Sequence, residues 1–160
     1  MAWTLQPPPH SCYLPPNDSH LSPWVIVADI LLIGADAALI EGIAQALAAA
    51  GHRVLTAATI AEASFVAAAA APLLTVADRA LLSSVSDARS LGLAPGGALV
   101  VFGDPAIPLA GPLRRAVLAE LLLPLERSRL TALAAHVAAR AQHTGRGATT
   151  PTPPEPQPGQ

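Results

Sequence analysis

Lysine is missing from this chain. All nine basic side chains are arginine: Arg53, Arg79, Arg89, Arg114, Arg115, Arg127, Arg129, Arg140 and Arg146. A site that needs a compact ammonium has nothing here to supply it, because a guanidinium is a planar fork. Cysteine is nearly missing too: Cys12 alone excludes an internal disulfide and a four-cysteine zinc site. Aromatic residues are 3% of the chain, so the core must be built from Leu, Val and Ala. A net charge of −2 carries no electrostatic footprint for nucleic acid. The apolar stretch from Trp24 to Ala50 is interrupted by Asp29, Asp36 and Glu41, which leaves no uncharged run of about twenty residues to span a bilayer. No basic segment followed by an apolar one marks a secretory signal. With the lone cysteine, this fits a reducing, cytoplasmic compartment. Abundant alanine, arginine and proline without lysine fits a GC-rich genome.

Apolar residues, 52% of the chain, are plentiful enough for one sizeable core. Residues 1–24 are broken by Pro7, Pro8, Pro9, Pro15, Pro16 and Pro23 and read as an extended leader, with Trp3, Tyr13 and Trp24 as its aromatics. Residues 143–160 are rich in Pro, Thr and Gly and read as a disordered tail. Between them, over 25–142, short apolar runs alternate with helical patterns. Strands are predicted at Ile30–Ile33, Arg53–Ala57, Leu73–Ala77, Ala98–Phe102 and Glu120–Leu123. Helices are predicted from about Asp36 to Ala50, Thr59 to Ala70, Ala80 to Leu91, Leu113 to Leu118 and Glu126 to Ala141, with Asp36 and Thr59 as caps. Pro95-Gly96-Gly97 is a turn. This alternation predicts an α/β domain, a single doubly wound parallel sheet of five strands with helices on both faces.

Four junctions of this pattern carry a resemblance. ILLIGAD (Ile30–Asp36), PLLTVAD (Pro72–Asp78), ALVVFG (Ala98–Gly103) and ELLLPL (Glu120–Leu125) resemble, in order and type, the strand ends of the response-regulator receiver domain. The interval from Asp36 to Asp78, 42 residues, is close to that family's. The resemblance covers roughly Ile30 to Ala141 and implies the flavodoxin-like strand order 2-1-3-4-5. It places Asp78 at the phosphoacceptor position. Gly34 and Ala35 stand at the family's acidic pair, with Asp36 just after it as a helix cap. Gly103 stands where the switch hydroxyl is expected. Leu123 stands where a lysine before proline contacts the phosphoryl group. Aspartyl phosphorylation needs a nucleophile, a divalent cation and fixed donors around the phosphoryl oxygens. Only Asp78 is kept, so the resemblance implies a degenerate pseudo-receiver that has lost its switch chemistry. The loop after Asp78 is also short for the family, and Arg79 adjoins Asp78 as a candidate ion-pair partner.

The expected function is therefore a non-catalytic protein-interaction module, an adaptor or a signalling or assembly component, with no cofactor and no metal. Its partner is an unidentified protein. The resemblance also implies a homodimer through the face of the fourth helix, fifth strand and fifth helix. There Arg114, Arg115, Arg127 and Arg129 rim the apolar Leu121 and Leu125, a charged rim around an apolar centre. Two alternatives stand beside it. One is a stand-alone response regulator, magnesium-dependent and phosphorylated at Asp78. The other is a structural subunit whose tails wrap partners. A small-molecule enzyme would need a convergent polar pocket, and the sequence offers none. His10, Cys12 and His20 lack paired metal-ligand spacing. Ser83, Ser84 and Ser86 have no matched His/Asp pattern. Gly96-Gly97 precedes a strand, so it is not a dinucleotide fingerprint. His52 and His136 read as surface or edge histidines. The alanines at 67–71 read as close helix packing or compositional bias.

Overall fold

The computed structural model of the protein describes residues 27–92 and 97–146. Five short strands form one parallel sheet: β1 Asp29–Ile33, β2 Arg53–Ala57, β3 Leu74–Asp78, β4 Ala98–Phe102 and β5 Val117–Leu121. The helices are α1 Ala37–Ala49, α2 Ile60–Ala70, α3 Arg79–Leu82, α4 Gly111–Ala116 and α5 Arg127–Arg146, with a 3-10 turn at Ala88–Leu91. The strands are all parallel, as the alternation predicts, and their order is β2-β1-β3-β4-β5, as the resemblance implies.

Alternation along the central strands divides the core into two layers. Ile30, Leu32, Leu74, Val76, Val100 and Phe102 face α1 and α5, where Ile40, Ile43, Leu47, Leu130 and Ala134 meet them. Leu31, Ile33, Ala77, Leu99 and Val101 face the other way, onto Ala63 and Ala67 of α2 and Leu113 of α4. The alanines of α2 are therefore partly structural. Ala67 is buried, and its methyl lies where Gly92 closes the 3-10 turn at φ 60°, a conformation that favours glycine. Asp36 caps α1 by accepting from the N–H groups of Ala38 and Leu39, both at 3.1 Å. Thr59 caps α2 at Glu62 N, 3.2 Å, and Glu62 reaches back to Ala58 N at 2.8 Å.

Five expectations change. The third helix stops at Leu82 instead of running to Leu91. Ser83 and Ser84 turn their hydroxyls onto the carbonyls of Ala80 and Leu81, and Asp87 caps a new turn at Arg89 N. The fifth strand is Val117–Leu121, three residues earlier than the apolar run ELLLP suggests. Leu122 leaves the sheet because its N–H donates to Glu126 Oε2 at 2.7 Å, and the Leu123–Pro124 peptide that follows is cis. The fourth helix ends at Ala116 accordingly. The last helix continues through Arg146, so residues 143–146 are helical and not tail. His52 is not a surface residue: it is 7% exposed, and its Nδ1 accepts from Ala28 N at 3.4 Å. His136 is exposed. The leader 1–24, its aromatics, His10, Cys12, His20, Pro95 and Gly96 lie outside the described residues, as does the tail beyond 146.

Candidate functional site

The carboxyl ends of parallel strands are where open α/β sheets form their sites. Here that edge gathers Gly34–Asp36 after β1, Asp78 at the end of β3, Gly103 after β4 and Leu122–Leu123 after β5. The topology thus brings the sequence-expected positions to one edge. What the side chains do there is another matter.

Asp78 caps α3: its Oδ1 accepts from Ala80 N at 2.9 Å. Asp36 is turned into its own cap on α1. At Gly34 a side chain would require Ile40 to shift. A Cβ there would lie 2.7 Å from Ile40 Cδ1 and 3.3 Å from Phe102 Cζ, inside the apolar layer below α1. Gly103 adopts φ 110°, and a Cβ there would lie 2.9 Å from Asp78 Oδ1. A hydroxyl-bearing residue at 103 would therefore meet both backbone strain and the carboxylate. Leu123 packs against the core under α5. Magnesium takes oxygen ligands in a near-octahedral shell. Gly34 and Ala35 offer no side-chain oxygen, and a side chain at 34 would run into Ile40 and Phe102. The residues at this edge do not fit a magnesium ion. Among the described residues, no three of His, Cys, Asp and Glu come together as a ligand set.

The dominant polar group of this edge is Arg79, only 7% exposed. It does not pair with its neighbour Asp78. Its Nη2 meets Glu120 Oε1 of β5 at 2.6 Å, and its Nη1 donates to the carbonyls of Pro105 and Ile107, each at 3.0 Å. One guanidinium therefore fixes three segments to one another: the end of β3, the loop from β4 to α4, and β5. The loop is tightened further by Asp104, whose Oδ1 accepts from Ala106 N at 2.8 Å. Planar geometry and five donors suit arginine to such a junction, and lysine could not reproduce it. Sequence reasoning missed the pair because residues 79 and 120 are 41 positions apart, Arg79 opening α3 just after β3 and Glu120 lying in β5, with β4 between the two strands. Only the register of β4 and β5 brings them together.

On the expected interface, Leu121 is 2% exposed and belongs to the core under α5, so it cannot contact a partner. The residue that alternates with it matters more: Leu122 is exposed, as is Leu125 at 88%. Arg129 is occupied by Glu126, at 3.1 Å. The Leu122 N–H, first, and Arg129 hold the Glu126 carboxyl below the usual carboxylate range. Arg114, Arg115 and Arg127 have no ion-pair partner among the described residues.

No protein-family model matches the chain, and no curated protein sequence is similar to it. Solved structures are. NtrX from Brucella abortus, in complex with ADP, superposes with a TM-score of 0.58 at 21% identity; 76% of this chain is covered and 28% of that one. This chain therefore spans less than a third of that protein's length. A CheY-like response regulator receiver domain protein from Methanospirillum hungatei JF-1 gives 0.60 at 15% identity, covering 74% of this chain and 98% of that one. The signal receiver domain of an HD domain-containing protein from Pseudomonas fluorescens Pf-5 gives 0.57 at 20% identity, covering 76% and 93%. The strand order, the positions gathered at the carboxyl edge and these superpositions agree: the chain has the fold of a response-regulator receiver domain.

Proposed function

We propose that this chain is a pseudo-receiver: a cytoplasmic, receiver-like protein-interaction module that holds one conformation and is not switched by phosphorylation. The observation that carries this reading is the Arg79 junction. A buried guanidinium ties the loop between β4 and α4 to β5 through three contacts that need no phosphoryl group. Crowding of the Gly34 position by Ile40 and Phe102 supports it, because a side chain there would displace them. The partner is a protein that reads a fixed surface. The α4–β5–α5 face is the proposed contact, centred on Leu122 and Leu125 with Arg114 and Arg127 at its rim, and a second copy of the chain is the simplest occupant. Incubating the protein with magnesium and acetyl phosphate, then weighing it intact by mass spectrometry, tests the loss of the switch. The expected spectrum contains the unmodified mass alone. A phosphoryl adduct that disappears in Asp78→Asn would establish the competing reading, a live stand-alone response regulator. One observation favours that reading: Asp78 retains the strand-end position at the carboxyl edge.

A further inference from the structure

A cavity of about 390 Å³ opens at the opposite end of the sheet, where β4 and β5 begin, between the end of α4 and the outer half of α5. Its floor is apolar, made by Leu73, Val117, Leu118, Val137 and Ala141. Val117 and Leu118 are adjacent, and neighbours in a regular strand point to opposite faces. Both reach the cavity because the β4–β5 ladder slips here: Leu99 pairs with Val117 while Val100 pairs with Ala119, leaving Leu118 as the extra residue of a bulge. Bulges re-aim side chains in this way.

The walls carry Arg115, His136 and Arg140, with Thr144 beyond them. No acidic side chain lines the cavity among the described residues. Neither arginine has an ion-pair partner there, whereas Arg53, Arg79 and Arg129 each have one. Among the described residues the one side-chain hydrogen bond of Arg115 uses Nε, to Gly111 O at 3.4 Å, and none engages its terminal nitrogens. The chain has 11 acids against nine arginines, so basic groups without an acid are not a general surplus.

We propose that this cavity binds a small amphipathic anion: an apolar body that lies on Val117, Leu118 and Val137, and one carboxylate or phosphate head held by Arg115 and Arg140. The volume falls within the range of small-molecule sites, which pair an apolar lining with a few placed polar groups. Guanidinium groups suit both heads, since each can be met by two parallel N–H donors. This site lies away from Asp78 and Arg79, so it does not depend on the reading of the carboxyl edge.

The test is titration of the full chain, followed by backbone amide NMR, with octanoate and with octyl phosphate. Octyltrimethylammonium and inorganic phosphate supply the body without an anion and the anion without a body. At least one of the two amphiphilic anions is expected to give saturable shifts centred on Ala98, Val117, Leu118, Val137 and Ala141, with whichever binds tighter identifying the head. Arg115→Gln and Arg140→Gln should each weaken binding about tenfold, the scale of one charge-assisted contact. Arg89→Gln, exposed and outside the cavity, should leave it unchanged. Shifts that fail to saturate, equal shifts from the cationic amphiphile, or affinity indifferent to both arginines would overturn the proposal. Because both arginines are exposed and unpaired, each variant should keep the parent amide spectrum, which the same experiment reads.

Discussion

Arg79→Met removes the guanidinium and keeps much of the apolar stem. Two hydrogen bonds to the Pro105 and Ile107 carbonyls are lost, at about 1 kcal/mol each once exchange with water is counted. The ion pair with Glu120 adds about 0.5 kcal/mol, because the Glu120 side chain is 52% exposed and solvent screens it. Relief of the buried charge's desolvation returns part of this, leaving a net loss of about 2 kcal/mol. For a domain of this size that lowers Tm by about 8 °C. Urea unfolding followed by circular dichroism measures the loss. Hydrogen exchange locates it: the amides of Ala106 and Ile107, which bond to Asp104, should exchange faster while those of β1 keep their protection. Glu120→Gln keeps both carbonyl bonds and should cost under about 1 kcal/mol. If Arg79→Met stays within about 0.5 kcal/mol of the parent, or if loop exchange is unchanged, Arg79 does not fasten the loop and the junction has been misjudged.

Three further changes probe other parts of the fold. Burial holds the His52 pKa below 6.5, so the unfolded chain binds the proton more tightly than the folded one. That contribution to stability is complete above about pH 6.5 and is lost as pH falls through the window between 6.5 and the lowered folded value. Urea midpoints measured across this window should fall with pH in the parent and more shallowly in His52→Gln; parallel slopes would exclude His52 as the source. Thr75 is fully buried in β3 and its hydroxyl has no hydrogen-bond partner among the described residues. Thr75→Val should therefore raise stability by about 1 kcal/mol, read as a higher urea midpoint at unchanged slope. Gly34→Asp would restore an acid to the edge but drive its Cβ onto Ile40, and should cost about 2–4 kcal/mol without producing magnesium affinity by calorimetry.

The strands of the sheet interior were legible in the sequence because each is a short apolar run closed by a turn residue, and the caps at Asp36 and Thr59 stand where the helices begin. The edge strand was harder. Its true residues, Val117–Leu121, are half-buried and bulged, while Leu121–Leu123 form the more strand-like apolar run. Tertiary contacts overrode the local pattern there, since the Glu126 carboxylate draws Leu122 out of the ladder. The third helix failed for a local reason: serine hydroxyls compete for the backbone at its second turn. His52 failed because a histidine after a helix stop gives no sign of burial beneath the strand ends. At the carboxyl edge, the positions 34, 78 and 103 were singled out by the resemblance, and the order of elements brings them together. The partner of Arg79 was not singled out, because it depends on the relative register of three strands.

The central claim is that the carboxyl edge has no phosphoryl switch. Its most direct test is an amide NMR titration of the full chain with magnesium and beryllofluoride, which takes the place of a phosphoryl group on an aspartate. The account predicts no saturable shift at Asp78, Arg79, Gly103 or the Pro105–Ile107 loop at millimolar magnesium. Saturable shifts centred on Asp78, abolished in Asp78→Asn, would contradict it and show that the Arg79 junction opens.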